Sequence, residues 1–281
     1  MELTKHHGLG NDFLVLILTP QSSGGAAVPE PSLARSVCDR HRGVGADGLL
    51  VLAPAPAGDA ADVSMVLLNA DGSRAEMSGN GIACLAQAAL LTGLAGGPSI
   101  TVATDAGLRL VRLASGPDVR SLRATVDMGV VEVTDAAEWA GDEVTRAARV
   151  DVGNPHLVLQ LADAGRIEDR EWLVALGAKA NAEVDGGVNV EVVTPATRGS
   201  GIRMDVYERG VGLTDACGTG AVAAAAAAHG WGLVGAGRVE VAMQGGSVAV
   251  GLDTDAAGGS GGRATLTTTV TYVAAVEYPW P

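Results

Sequence analysis

The sequence predicts an α/β protein of two pseudo-symmetric lobes, each a curved sheet wrapped around a central helix, with the active site in the cleft between the lobes. Three observations lead to this fold class. Residues 78–81 and 217–220 are similar glycine-rich stretches, and a run of small and apolar residues follows each of them. The 281 residues suffice for two domains of about 120 to 140 residues, each with its own core. Short apolar segments bounded by turn residues predict many strands.

The elements of the first half follow from apolar runs and from the turn residues between them. Residues 3–5 and 13–18 are predicted strands, and the glycines and the Asn-Asp pair within residues 6–12 predict the turn that joins them. The same signals predict loops at 20–31 and 53–61, a helix at 31–40 capped by Ser32, strands at 49–52 and 63–68, a turn at 69–73 and a helix at 79–91.

The second half repeats this pattern. Strands are expected at 101–102, 108–113, 122–128, 157–161, 189–193 and 202–207, a loop at 208–214, a helix at 218–229 and a flexible loop at 258–262. Alternating residues at 264–276 predict a last strand that returns to the first lobe. The expected lobes are therefore residues 1–118 with 266–281, and residues 119–265.

Composition excludes several classes of function. A formal net charge of −13 argues against binding to a phosphate backbone, which requires clustered cations. The three cysteines have neither the number nor the spacing of a disulfide framework or a zinc motif, so no metal site is expected. Apolar runs fall short of the roughly 20 residues that span a membrane, and the N-terminus lacks a secretory pattern. We expect a cytoplasmic protein with no nucleic-acid or membrane partner.

The lysines also argue against one common cofactor. Lysine occurs only at Lys5, in the first predicted strand, and at Lys179, in a predicted polar turn. Pyridoxal enzymes need a lysine that forms a Schiff base with the cofactor, and neither position suits this role. We therefore expect no cofactor.

The two glycine-rich stretches carry the chemical signal. Each places a nucleophile-type side chain, Ser78 or Cys217, at the beginning of a predicted helix. Free backbone N–H groups and the positive end of the helix dipole at such a position suit an anion such as a carboxylate. The same field is expected to lower the pKa of Cys217. Two such sites facing one another could hold a single substrate.

Other residues receive simpler interpretations. Cys84, inside the first of these helices, is expected to be buried and structural. His6 and His7 are interpreted as a surface pair. Taken alone, the Asn-rich turns would be ordinary turns, and a lone Cys217 would be a small buried side chain.

Taken together, the ordered motifs resemble those of the diaminopimelate epimerases, cofactor-independent enzymes of the proline-racemase-like superfold. The resemblance covers nearly the whole chain. Its motifs are Gly-Asn-Asp-Phe at 10–13, Arg-Gly-Val-Gly-Ala-Asp-Gly at 42–48, Asn-Ala-Asp-Gly-Ser at 69–73, Ser-Gly-Asn-Gly at 78–81, Val-Gly-Asn-Pro-His at 152–156, Val-Asn-Val-Glu at 188–191, Tyr-Glu-Arg-Gly-Val-Gly at 207–212 and Ala-Cys-Gly-Thr-Gly-Ala at 216–221.

The resemblance implies a two-base mechanism, in which one group removes the α-proton and another returns a proton to the opposite face. It implies that Cys217 is one of these groups, that Ser78 stands at the position of the other, and that His156 and Glu208 tune the cysteine. It also implies a homodimer and a small amino-acid substrate, a diamino diacid. The residues implied to bind that substrate are Asn11, Asn69, Gly79, Asn80, Asn154, Asn189, Glu208, Arg209, Gly218 and Thr219.

Three positions depart from the family pattern. Ser78 replaces the first of two cysteines, Gly48 replaces a glutamine, and Ala83 replaces an arginine. A serine hydroxyl is a far weaker acid than a thiol and forms little anion near neutral pH. The chain could therefore be a substituted variant that traps substrate, a relative that exchanges or eliminates from one face, or a weakened epimerase. A dehydratase or racemase for another amino acid and a non-catalytic amino-acid-binding protein remain alternatives.

Overall fold

The computed structural model describes residues 1–18, 29–56, 58–196, 200–253 and 261–279. It divides into two compact units: Met1–Val126 with Thr268–Pro281 is unit 1, and Asp127–Thr267 is unit 2. The unit boundaries in the structure lie after residues 126 and 267, whereas the boundaries expected from the sequence lie after residues 118 and 265. The loop expected at 20–31 lies mostly outside the described residues, as does the loop expected at 258–262.

Within its described residues, unit 1 contains two α-helices, seven whole strands and parts of two others. The strands are β1 (Glu2–Gly8), β2 (Asn11–Ile17), β3 (Gly48–Pro54), β4 (Val63–Asn69), β5 (Arg74–Ala75), β6 (Ser99–Thr104), β7 (Gly107–Ser115), the first part of β8 (Ser121–Asp135) and the last part of β16 (Gly261–Glu277). The helices are α1 (Pro31–Cys38) and α2 (Gly79–Thr92). The larger strands follow the order β8-β7-β6-β4-β3-β2-β1-β16, and β5 pairs with β4.

The sheet of unit 1 surrounds α2. Residues 79–89 of this helix are all buried, and the helix contacts β1, β2, β3, β4, β6 and β7. A helix that is apolar on every side must be enclosed by the fold rather than lie on its surface. At its end, Gly93 adopts the left-handed conformation (φ 72°), a common helix stop.

Unit 2 contains the remaining elements. Its strands are the last part of β8, β9 (Val144–Asp151), β10 (Pro155–Leu161), β11 (Asn189–Pro195), β12 (Gly201–Glu208), β13 (Gly212–Thr214), β14 (Gly237–Met243), β15 (Gly246–Asp253) and the first part of β16. Its α-helices are α3 (Arg170–Glu183) and α4 (Gly218–Gly230). Helix α4 is buried along nearly its whole length and contacts β9, β10, β11, β12, β14 and β15.

The two units repeat one order of elements. Unit 1 runs β1-β2-α1-β3-β4-β5-α2-β6-β7-β8, and unit 2 runs β9-β10-α3-β11-β12-β13-α4-β14-β15-β16. Corresponding strand pairs also have the same direction: β2 and β3 are parallel, as are β10 and β11, and β4 and β6 are parallel, as are β12 and β14. The predicted fold class, two pseudo-symmetric α/β lobes with a curved sheet around a central helix, is confirmed.

Several local predictions were wrong. Helix α3 was not predicted, because its buried positions are Leu173, Gly177 and Ala180, two of them too small to mark an apolar face. Lys179 accordingly lies in a helix and not in a polar turn. Ser32 does not cap α1, which begins with Pro31 at its first position and has no side-chain cap. Among the described residues, no helix is long and apolar enough to cross a membrane.

Candidate active site

In unit 1, Ser78 is the residue that precedes α2 and caps it. Its extended backbone directs the hydroxyl back over the first turn, where Oγ accepts a hydrogen bond from the backbone N–H of Gly81 at 3.0 Å. Gly79 is buried in the same turn. The glycines of this turn leave its backbone N–H groups free of covering side chains, as an anion-binding helix end requires.

Two asparagines meet beside this turn. Asn80 is buried, and its Nδ2 donates to Oδ1 of Asn11 at 3.5 Å. The Oδ1 atom of Asn80 has no hydrogen-bond partner within the described part of the chain. Gly8 leaves room for this side chain, since a Cβ at position 8 would lie 2.9 Å from that oxygen and would displace it. The side chain of Asn80 therefore retains an acceptor that a substrate ammonium could use.

An ionic network fixes Asn11 at the start of β2. Its Nδ2 donates to Oδ2 of Asp47 at 2.8 Å, and the same oxygen accepts the backbone N–H of Asp12. Arg40 contacts both carboxylates, at 2.8 Å from Asp12 and 2.7 Å from Asp47, and Lys5 contacts Asp12 at 2.8 Å. Burial would raise the pKa of Asp12, but Arg40 and Lys5 together lower it. The amide of Asn11 is thus held by a charged acceptor.

Asn69 stands at the end of β4 and is held differently. Its Nδ2 donates to Oγ of Ser73 at 3.0 Å within the turn that follows the strand. The same turn binds Arg35, whose Nη1 donates to the carbonyl of Asp71. In unit 1, therefore, Ser78, Asn80 and Asn11 form one group, whereas the hydrogen bond from the side chain of Asn69 stays within its own turn.

In unit 2, Cys217 precedes α4 as Ser78 precedes α2. Its Sγ accepts the backbone N–H of Gly220 at 3.3 Å and lies 3.5 Å from Oγ1 of Thr219. Thr219 in turn accepts from Nδ2 of Asn154 at 3.5 Å. The sulfur, Gly218 and Thr219 are all buried.

A buried pair of titratable side chains lies next to this group. Nδ1 of His156 is 2.7 Å from Oε1 of Glu191, and neither side chain is exposed to solvent. Nε2 of His156 is 3.0 Å from Oδ1 of Asn154. Glu191 reaches the first turn of α4, because a Cβ on Gly220 would come within 2.6 Å of its Oε1.

Glu208 completes the surroundings of the sulfur. Its carboxylate accepts a hydrogen bond from the Thr214 hydroxyl, and its charge acts on the Cys217 thiol. Burial raises the pKa of Glu208, the charge of Glu191 raises it further, and the hydrogen bond from Thr214 opposes the rise. A carboxyl group with a raised pKa takes up and releases its proton at a higher pH than an exposed glutamate does.

The pKa of Cys217 does not follow the sequence-based expectation. Burial raises the pKa of this thiol well above its usual value, and the carboxylates of Glu208 and Glu191 raise it further. Hydrogen bonds from Thr219 and Gly220 oppose the rise without cancelling it. The helix end was expected to lower the pKa, but desolvation and two nearby negative charges outweigh it.

Asn189 and Arg209 adjoin one another at the ends of their strands. Nδ2 of Asn189 donates to the carbonyl of Pro155 at 3.2 Å, and its Oδ1 accepts the backbone N–H of Arg209 at 2.9 Å. Nη1 of Arg209 donates to the carbonyl of Gly186 at 3.3 Å. The guanidinium, with several donors, suits a carboxylate.

Strand registers give the pseudo-equivalent positions of the two units. Phe13 pairs with Gly48 in unit 1 as His156 pairs with Asn189 in unit 2, so that Leu50 corresponds to Glu191. The equivalent pairs are Asn11 and Asn154, Phe13 and His156, Gly48 and Asn189, Leu50 and Glu191, Asn69 and Glu208, Ser78 and Cys217, and Asn80 and Thr219. The three titratable groups beside Cys217 thus correspond to phenylalanine, leucine and asparagine beside Ser78.

Sequence reasoning missed Glu191, although it stands in a quoted motif, because nothing local distinguishes a buried carboxylate in an apolar strand. The interpretation of His6 was wrong: this side chain is buried and contacts Oε1 of Gln87 at 2.8 Å and Oγ1 of Thr4 at 3.0 Å. Its strand directs His6 toward α2, which carries Gln87. The burial of Cys84 is confirmed, and that burial raises the pKa of its thiol.

Comparison with known proteins gives a consistent result. The family model described as "Diaminopimelate epimerase" matches residues 3–134 and 148–266. The diaminopimelate epimerase of Rhodococcus opacus is 39% identical over 95% of this chain and 93% of its own length. That of Desulforudis audaxviator is 38% identical over 91% of this chain and 93% of its own length.

Solved structures share the fold at lower sequence identity. A probable proline racemase from Agrobacterium radiobacter superposes with a TM-score of 0.75 at 19% identity, covering 100% of this chain and 93% of its own. A hydroxyproline epimerase from Agrobacterium vitis, with bound trans-4-hydroxy-L-proline, gives a TM-score of 0.73 at 21% identity, covering 98% and 91%.

Proposed function

Because the chain belongs to the diaminopimelate epimerase family, we propose that it is an isomerase that interconverts LL- and meso-diaminopimelate by exchanging the proton on one α-carbon. The proposed reaction needs no electron-sink cofactor, since the α-carboxylate can accept the developing negative charge. The N–H groups at the beginning of α4, beside Cys217, are the proposed donors to that carboxylate. We further propose a cytoplasmic homodimer, as the family resemblance implies.

The observation that carries the proposal is the distribution of titratable groups. Glu208 is close enough to Cys217 for its charge to raise the pKa of the thiol, and the pair of His156 and Glu191 lies close by. A thiol with a raised pKa beside a carboxyl group of raised pKa can act as an acid and, after proton transfer, as a base. Cys217 is therefore the proposed proton-transfer group on one face of the substrate.

Ser78 occupies the position of the second group, with a different expected behaviour. The pseudo-equivalents of His156, Glu191 and Glu208 in its unit are Phe13, Leu50 and Asn69, none of which titrates. Its hydroxyl is therefore suited to donate a hydrogen bond and poorly suited to remove a proton. We propose that exchange on the Cys217 face is fast and that net inversion is slower by a factor on the order of 10² to 10⁴, the usual contribution of a positioned acid or base.

The remaining polar groups are the proposed substrate contacts. Asn80, with its unpaired buried acceptor, and Glu208 are proposed for ammonium groups, and Arg209 for a carboxylate. Asn11, Asn69, Asn154 and Asn189 supply side-chain amides that can serve either group. Gly79, Gly218 and Thr219 contribute backbone donors.

Incubation in deuterated water tests the proposal. Each diastereomer is incubated separately, α-deuterium is measured by mass spectrometry, and inversion is measured by chiral chromatography. We expect one diastereomer to gain deuterium faster than it inverts, and Cys217→Ala to abolish both processes. Release of an unsaturated or keto product would identify a dehydratase. Binding without exchange or product would identify an amino-acid-binding protein, and either result would overturn the proposal.

A further inference from the structure

The buried carboxylate of Glu191 is not explained by packing. Its Oε2 has no hydrogen-bond partner among the described residues, and its side chain is wholly buried. The pseudo-equivalent residue is Leu50, whose Cδ2 would lie 3.4 Å from a Cβ on Gly81. An apolar side chain thus fulfils the packing role at this position, whereas an isolated buried carboxylate is strongly unfavourable.

The partners of His156 determine its protonation. Nδ1 faces a carboxylate oxygen of Glu191, and Nε2 faces the carbonyl oxygen of the Asn154 side chain. When Glu191 is ionised both neighbours are acceptors, and the ring then satisfies both with a proton on each nitrogen. His156 is then an imidazolium, and its charge balances that of Glu191.

The protonation of His156 sets the direction of the hydrogen bonds from Asn154 to Thr219 and from Thr219 to Cys217. Because Oδ1 of Asn154 accepts from His156, its Nδ2 is free to donate to Oγ1 of Thr219. Once Oγ1 accepts from Asn154, the hydroxyl proton of Thr219 points to Sγ of Cys217. The sulfur then accepts from this hydroxyl as well as from the backbone N–H of the first helical turn.

We propose that Glu191 is a positioning residue, which keeps His156 doubly protonated and thereby directs a chain of donors through Asn154 and Thr219 to the sulfur of Cys217. The inference rests on the proposed function and deepens it, since it concerns the pKa of the proposed proton-transfer group. Glu191 itself touches neither the sulfur nor, in this role, the substrate. We call Glu191, His156, Asn154 and Thr219 the donor chain.

Charge and hydrogen bonding act on the sulfur in opposite senses. The charged groups facing it are Glu208 from β12 and Glu191 from β11, with His156 from β10 beside them. Both carboxylates raise the pKa of the thiol. In the proposed arrangement the charge of His156 balances that of Glu191, and the Glu191→Gln variant loses both charges together. The loss of the Thr219 hydroxyl as a donor to the sulfur then decides that the pKa of Cys217 rises.

The first experiment titrates the thiol in ligand-free protein. Rates of Cys217 alkylation by iodoacetamide are measured against pH at the peptide level by mass spectrometry, for the parent and for Glu191→Gln. We expect the apparent pKa of Cys217 to rise by about one unit, the equivalent of one lost hydrogen bond to a thiolate. Val190→Ala is the matched control, because it removes buried volume from the same strand without touching the donor chain. A lowered or unchanged pKa in Glu191→Gln would overturn the proposal.

A double-mutant cycle tests whether the effect travels through Thr219. Thr219→Val removes the hydroxyl at the end of the donor chain and is expected to raise the apparent pKa of Cys217 by a similar amount. Combined with Glu191→Gln, it should add little more, since both changes remove the same donor. Fully additive shifts would show that Glu191 acts on the sulfur by another route and would contradict the proposal.

A spectroscopic measurement on the parent protein tests the protonation of His156 directly. In the parent protein, ¹⁵N chemical shifts of the histidine rings distinguish imidazolium from either neutral tautomer, and His156→Gln identifies the signal. We expect both nitrogens of His156 to be protonated at pH 7; a neutral ring would refute the donor chain. None of these readouts requires turnover, so the inference can fail while the proposed isomerase activity stands, and the reverse.

Discussion

Replacing Ser78 by cysteine would restore a second thiol to the proposed centre. The position can accept sulfur: Oγ of Ser78 lies 3.0 Å from the N–H that it caps, and Sγ of Cys217 lies 3.3 Å from the equivalent N–H. The longer contact is one that this type of helix end already makes in unit 2. We therefore expect Ser78→Cys to fold, with a change in unfolding free energy of no more than about 1 kcal/mol, the usual value of a cap.

The size of the gain follows from the surroundings of the new thiol. Leu50 and Asn69 stand where Glu191 and Glu208 stand around Cys217, so the two carboxylates that raise the pKa of Cys217 have no counterpart at these positions. A thiol at position 78 should therefore titrate below Cys217. We expect inversion to accelerate by a factor on the order of 10² to 10⁴, the contribution of a positioned acid or base.

The assay compares three proteins from both diastereomers. Inversion and α-deuterium exchange are measured for the parent, Ser78→Cys and Ser78→Ala, with the alanine variant controlling for loss of the hydroxyl cap. In Ser78→Cys the inversion rate should approach the exchange rate, whereas Ser78→Ala should leave inversion slow. An inversion rate for Ser78→Cys less than about tenfold above that of the parent would refute the assignment of the second face to residue 78.

Three further outcomes are expected. Gly220→Ala should abolish activity and lower the unfolding temperature, because the new methyl group would lie 2.6 Å from a buried carboxylate oxygen. Gly81→Ala should lower the unfolding temperature less, because the closest contact of its methyl group is 3.0 Å. Asp47→Asn should raise KM by about fivefold and change kcat little, because it replaces the charged acceptor that holds Asn11 in a partly exposed network. Equal effects on KM and kcat would contradict this prediction. Burial lowers the pKa of His6, so the contribution of this residue to stability should be complete above about pH 6.5 and should decrease as the pH falls toward the lowered pKa. Urea unfolding of the parent and of His6→Gln between pH 5 and pH 7 measures this contribution. Equal pH dependence of stability in the two proteins would contradict the prediction.

Signals that lie close together in the sequence predicted much of this protein. The glycine-rich turns after Ser78 and Cys217 predicted helices at 79–91 and 218–229, which the structure extends by one residue each, to Thr92 and Gly230. Such signals are reliable because a cap, a glycine turn and an apolar run act within a few residues of one another. The repeat of these signals also predicted the two-lobed fold.

Only the tertiary structure decided the electrostatics of the centre. His156 and Glu191 are 35 positions apart in sequence and meet because β10 and β11 pair in parallel register. The raised pKa of Cys217 depends on its burial and on two carboxylates from other strands, effects that a helix end read from the sequence does not contain. Local chemistry therefore fixed which residues stand at the helix ends, whereas long-range packing fixed which charges and donors surround them, because desolvation and strand register are properties of the whole fold.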